Sequence, residues 1–223
     1  KQDWKQVSDL KREFKYFFEN SIKSILTMSP VMPVLVINKV DKIEHLFEAL
    51  IKGNLKVVEI TLRTSCALKV IEIASKKFPS LMVGAGTVLN EKDLQDIKSA
   101  GASFAVSPGC TISLATKALD MKFPFLPGIA NSSDIMNLIS LGYKSFKFFP
   151  AEAAGGINYI KSLNGPFPDI VFCPTGGVNQ ENATEWLKQN NVICVGGSWI
   201  IPSNTEDYSE IERRALLASK LRS

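Results

Sequence analysis

Eight times in this 223-residue chain an apolar strand is followed by an amphipathic helix, at intervals of about 22 residues. No other feature restricts the fold so tightly. The strands read as Met32–Ile37, Val57–Leu62, Leu81–Ala85, Phe104–Val106, Phe123–Leu126, Ser145–Phe149, Ile170–Cys173 and Val192–Val195. The helices that follow span about 41–52, 66–77, 91–100, 111–120, 132–141, 157–163, 180–189 and 206–220. Strict β-then-α alternation specifies a parallel sheet covered by helices, and eight units predict closure into a (β/α)8 TIM barrel. A doubly wound open sheet is the alternative. Against it, no GxGxxG follows the first strand, and glycine or proline signals gather at the C-terminal ends of the third to eighth strands. With no linker in view, residues 1–223 read as one domain. It comprises a helical N-terminal segment over 1–28, a barrel over 29–202 and a C-terminal helix over 203–223. The first segment carries Trp4, Val7, Leu10, Phe14, Phe17, Phe18, Ile22, Ile25 and Leu26 at largely helical spacing, a lid on a core rather than a membrane anchor.

Composition removes several functional classes. A net charge of +4, with its lysines scattered, does not suggest a nucleic-acid partner, yet suits an anionic small-molecule substrate. No apolar run approaches the roughly 18 residues of a membrane span, and a charged start without an apolar signal core leads us to expect a cytoplasmic protein. Cys66, Cys110, Cys173 and Cys194 lack CxxC spacing and read as reduced thiols, the last two as strand core. The lone histidine, His45, reads as structural, which excludes HExxH zinc sites and disfavours Ser-His or Cys-His catalysis. We therefore expect no metal and no cofactor, with acid–base work left to carboxylates, lysine or water.

Lys147 sits in Phe146-Lys147-Phe148-Phe149, a run apolar enough for a strand buried on both faces. Burial there favours the neutral amine, the nucleophile of Schiff-base chemistry; a lysine snorkelling from a strand end is the competing reading. In Val57-Val58-Glu59-Ile60-Thr61-Leu62-Arg63 the pleat sends Val58, Ile60 and Leu62 to one face, and Glu59, Thr61 and Arg63 to the other. That second face either holds an internal Glu–Arg ion pair or sets an acid–base group, Glu59, beside a carboxylate clamp, Arg63. Gly84-Ala85-Gly86-Thr87 is a weak signal by itself. Thr175-Gly176-Gly177 and Gly196-Gly197-Ser198, after the seventh and eighth strands, together suggest a phosphate site of the kind barrel enzymes build at that corner.

Five segments in order, Glu59–Thr64, Gly84–Asn90, Phe146–Glu152, Cys173–Val178 and Val195–Trp199, resemble the bacterial 2-keto-3-deoxy-6-phosphogluconate (KDPG) / 4-hydroxy-2-oxoglutarate (KHG) aldolases. The likeness runs from about residue 20 to about 202. It implies a class I aldolase in a (β/α)8 barrel, a homotrimer of the Entner–Doudoroff pathway acting on a phosphorylated 2-keto-3-deoxy sugar acid and releasing pyruvate. It places the Schiff base on Lys147 and the acid–base role on Glu59, with Arg63 and Thr87 on the pyruvyl carboxylate. Pro108 and Phe149 would line the pocket, and Gly176, Gly177, Gly197 and Ser198 would hold phosphate. A phosphogalactonate-type aldolase, or a sugar-phosphate epimerase working without an imine, is the alternative. Two departures from the family pattern are the extension over 1–18 and Ala154, where a more polar residue is expected before Gly155-Gly156.

Overall fold

The structure, a computed structural model, describes residues 21–202 and 206–222. Among the described residues, the helical turn at 21–26 is followed by nine strand segments and eight helices: β1 (Val31–Leu35), α1 (Ile43–Lys52), β2 (Val57–Thr61), α2 (Ala67–Lys77), β3 (Met82–Gly86), α3 (Glu91–Ser99), β4 (Phe104–Val106), α4 (Ile112–Asp120), β5 (Phe125–Leu126), β6 (Gly128–Ile129), α5 (Ser132–Ile139), β7 (Ser145–Phe148), α6 (Gly156–Leu163), β8 (Val171–Pro174), α7 (Ala183–Leu187), β9 (Val195–Gly197) and α8 (Tyr208–Ser219). Every pairing between them is parallel. Six strands form a curled sheet in the order β5-β4-β3-β2-β1-β9, and three form a second, β6-β7-β8. Single parallel bridges, Phe172 to Val192 and Thr175 to Gly196, tie β8 to the segment ending in β9. The parallel α/β class expected from the alternation is therefore present.

Local chemistry fixes the helix starts. Asn90, Thr111, Asn131 and Asp207 each accept a hydrogen bond from the backbone N–H three residues on, satisfying a donor that the first helical turn leaves free. At Asn131 the bond is reciprocated by Asp134, a complete capping box.

The pleat divides the strand side chains between two cores. On the convex side, Val58, Ile60, Phe146 and Phe148 pack against helical residues such as Val70, Ile71 and Trp186. On the concave side, Val57, Phe104, Val106, Leu126, Cys173 and Cys194 meet Ile22, Ile25 and Leu26 of the helical turn at 21–26. The described end of the N-terminal segment thus covers a core, as its spacing predicts; the rest of that call, residues 1–20, lies outside the described residues.

Two strands differ from expectation by more than a residue or two at their ends. The fifth runs past Pro127, which lacks an N–H and splits it into β5 and β6. The eighth starts at Val195, so Gly196 and Gly197, expected as loop, are strand. All four cysteines are free thiols, Cys173 and Cys194 buried. Among the described residues no helix is long and apolar enough to cross a membrane.

Candidate active site

Glu59 lies mid-way along β2, whose five residues are all buried, and register sets it opposite Val34 of β1 and Gly84 of β3. Lys147 lies in β7, opposite Gly128 of β6 and Cys173 of β8. Because both alternate with residues packed against helices, both side chains point to the concave face. There the ammonium nitrogen Nζ of Lys147 is 3.1 Å from Glu59 Oε1 and 3.4 Å from Oε2. The two residues are only 3 % and 0 % exposed. Snorkelling is excluded by that burial. The Glu59 carboxylate is paired with Lys147, not with Arg63, so the internal Glu–Arg pair considered above is not formed. The ring of Phe149 lies 5.4 Å from Nζ, close enough for a cation–π contact when the amine is charged.

Gly86 makes room for this pair. A Cβ at that position would lie 2.0 Å from Glu59 Oε1 and 2.6 Å from Cγ and Cδ, so only glycine lets the carboxyl lie flat across the β3 backbone. Gly86→Ala is therefore expected to push Glu59 away from Lys147 and lower turnover by on the order of 10²-fold, as misplacement by about 1 Å can do. Steady-state kinetics on the purified variant check this.

The next residue, Thr87, has φ +58°. A β-branched side chain in the left-handed region costs about 1–3 kcal/mol, and such strain persists where surrounding contacts impose it. Here Arg63 Nε donates to Thr87 Oγ1 at 3.1 Å, while Val88 N–H donates to the Val106 carbonyl. The turn presents an exposed guanidinium and a hydroxyl together at the rim above Glu59. A guanidinium and a hydroxyl side by side suit a carboxylate.

The remaining candidates are gathered less evenly. A Cβ on Gly176 would lie 3.2 Å from the Phe149 ring, so the β8 loop abuts the Lys147 segment. Gly176 and Gly177 have consecutive positive φ values of +97° and +81°, a turn that glycine adopts without strain. Thr175 is buried, its Oγ1 donating to the Cys173 carbonyl at 3.4 Å, so its hydroxyl faces inward rather than out with the glycines. Gly197 is pressed against the Trp199 ring, Ser198 is exposed, and Pro108 is half-buried with its carbonyl against Gly128. His45 is exposed, 3.8 Å from Glu48 and beside the Tyr208 ring. Burial pushes the Cys110 thiol up to about 12, which keeps it protonated and unreactive near neutrality. No group of three or more His, Cys, Asp or Glu among the described residues could hold a metal ion. Sequence marks Glu152 only by its place in the Phe146–Glu152 segment, and Gly86 only as a small residue next to Thr87.

A buried amine touching one carboxylate on the concave face of a parallel α/β sheet, under an arginine–threonine rim, suits the chemistry of lysine-dependent carbonyl enzymes. Residues 22–214 match the family described as KDPG and KHG aldolase. The KHG/KDPG aldolase of Escherichia coli K12 is 42% identical over 201 residues, covering 90% of this chain and 94% of that protein. The crystal structure of the Zymomonas mobilis ZM4 KDPG aldolase with 3-phosphoglycerate superposes with a TM-score of 0.89 at 44% identity, covering 92% of this chain and 97% of the other. The Legionella pneumophila KDPG aldolase, with pyruvate captured at low pH as a covalent carbinolamine intermediate, gives 0.87 at 42% identity, covering 89% and 98%. This chain belongs to the KDPG and KHG aldolase family.

Proposed function

We propose that the chain is a class I aldolase that cleaves 2-keto-3-deoxy-6-phosphogluconate to pyruvate and glyceraldehyde 3-phosphate, and 4-hydroxy-2-oxoglutarate to pyruvate and glyoxylate. The observation that carries this reading is the 3.1 Å contact between the buried Lys147 amine and Glu59. The Legionella relative with pyruvate as a carbinolamine supports it. In this reading the segments split by Pro127 form one stave, and the bridges from β8 to β9 complete a (β/α)8 barrel within a single domain. The site then opens toward the C-terminal ends of the strands, where Arg63, Thr87 and the Gly176–Gly177 turn lie, as barrel active sites do. Assembly as a homotrimer in the cytoplasm, implied by the sequence resemblance, is part of the same proposal.

Each step uses a group already in place. Unprotonated Lys147 attacks the C2 ketone; one proton from its nitrogen and one from solvent pass to the carbinolamine oxygen, which leaves as water. The resulting iminium draws electrons from the C3–C4 bond. As that bond breaks, Glu59, through a water, takes the C4 hydroxyl proton, glyceraldehyde 3-phosphate departs and an enamine remains. Glu59 returns the proton to C3, and water hydrolyses the imine to free pyruvate and the amine. Dividing one difficult cleavage into easier steps is what covalent catalysis contributes, and general acid–base assistance adds typically about 10²–10⁴-fold. Arg63 and Thr87 hold the carboxylate, Pro108 and Phe149 enclose the ketone, and Gly176, Gly177, Gly197 and Ser198 receive the phosphate, which fixes both ends of the substrate. Thr175 supports that loop from within, its hydroxyl turned to the strand.

Pyruvate release coupled to NADH oxidation by lactate dehydrogenase tests the proposal. Turnover is expected on both substrates, faster on the phosphorylated one. Absence of pyruvate from either would overturn it.

A further inference from the structure

Four residues beyond Lys147, the main chain runs along the end of β8. Ala151 N–H donates to the Thr175 carbonyl at 2.8 Å, and Glu152 N–H to the Gly176 carbonyl at 3.1 Å. The catalytic scheme leaves the Glu152 side chain without a task. Its Oε1 accepts a hydrogen bond from the indole Nε1 of buried Trp186 at 2.9 Å and from Asn182 Nδ2 at 3.3 Å. Asn182 Nδ2 also donates to the Gly177 carbonyl at 3.0 Å, and its Oδ1 accepts from Asn179 N–H at 2.8 Å. One carboxylate oxygen thereby joins the segment after β7, the loop after β8 and helix α7.

Both loop carbonyls are thus committed on the Glu152 side. In a planar trans peptide the N–H points opposite to the carbonyl. Holding the Gly176 and Gly177 carbonyls toward Glu152 and Asn182 therefore turns the N–H groups of Gly177 and Val178 the other way. Successive N–H groups on one side of a tight turn form a cradle for an anion. The contact is also steric: a Cβ on Gly177 would lie 2.4 Å from Glu152 Cγ, so the loop lies directly on that side chain. A carboxylate placed at an anion site by chance would repel the anion; tied to two donors, it acts instead as the anchor of the loop.

We propose that Glu152 is a positioning residue for the phosphate end of the substrate, its carboxylate holding the Gly177–Val178 peptide through Asn182 while its backbone N–H holds the Gly176–Gly177 peptide. The proposal rests on the aldolase reading and deepens it. Glu152 governs recognition of phosphorylated substrates and has no part in cleaving unphosphorylated ones.

Steady-state kinetics of Glu152→Ala, Glu152→Gln and Asn182→Leu on KDPG and KHG test this, with pyruvate–borohydride labelling of each protein as a control. For Glu152→Ala and Asn182→Leu, KM for KDPG is expected to rise roughly tenfold, the scale of one charge-assisted hydrogen bond, while KM and kcat for KHG change less than about twofold. Glu152→Gln, whose amide oxygen can still accept both bonds, should restore most of the difference. Asn182→Leu leaves the Glu152–Trp186 bond intact, so it reports even where Glu152→Ala folds poorly. Labelled variants whose two substrates decline in parallel, or whose KM for KDPG is unchanged, would overturn the positioning role alone. Failure of the unaltered protein to label would overturn the aldolase reading and this proposal with it.

Discussion

Lys147→Met is expected to lower turnover of both substrates by about 10⁵–10⁶-fold, the scale on which removing a covalent nucleophile acts. Methionine fills much of the same volume but supplies no amine, so neither carbinolamine nor iminium can form. The same substitution should also destabilise the fold. Glu59 is fully buried and its oxygens lie 3.1 and 3.4 Å from Nζ. Removing the amine strands a carboxylate without its partner, at a cost of roughly 3–5 kcal/mol. Replacing both, as Glu59→Met with Lys147→Met, takes the stranded charge away, and apolar replacements of buried pairs are often neutral or stabilising by about 1–4 kcal/mol. Urea unfolding should therefore give a lower midpoint for the single variant, a recovered one for the double, and negligible turnover for both. A double variant as unstable as the single would mean that the pair is kept for the fold rather than for chemistry.

For Glu59→Gln the expected outcome separates two stages of the reaction. The amide keeps the shape that fits over Gly86, and with Lys147 untouched the amine can still add to pyruvate. Labelling should persist. Turnover should fall about 10³-fold, within the range that general acid–base assistance spans, because no carboxylate remains to take the C4 hydroxyl proton or return it to C3. Rapid-quench kinetics on KDPG should show slow release of glyceraldehyde 3-phosphate from enzyme already in imine form. Unchanged turnover would remove Glu59 from its role. Loss of labelling as well would move that role earlier, to imine formation.

Much of the fold is legible in the sequence because each strand announces itself locally as an apolar run, from the third onward with glycine or proline at one end. The failures occur where glycine and proline serve tertiary contacts rather than turns. Gly196 and Gly197 look like loop, but they are strand, glycine because Thr175 Oγ1 and the Trp199 ring occupy the space a Cβ would need. Pro127 looks like the end of a strand, but Gly128 and Ile129 resume it and pair with Lys147 and Phe148. For the site, the pleat alone shows that Glu59 faces away from Ile60 and that Lys147 faces away from Phe146 and Phe148. Their contact across 88 residues of chain depends on strand order and register, which no local pattern contains. Thr87 likewise carries no sign of its left-handed backbone, imposed by Arg63 and β4 from outside its own stretch. Glu152 stands in a matched motif, yet its carboxylate finds its partners only when α7 brings Asn182 and Trp186 to it.

Everything proposed for the reaction depends on Lys147 forming an imine. Incubating the protein with pyruvate, reducing with borohydride and mapping the peptides by mass measures that directly. A single reduced three-carbon adduct on Lys147 is expected. An unmodified protein, or an adduct on any other lysine, would contradict it.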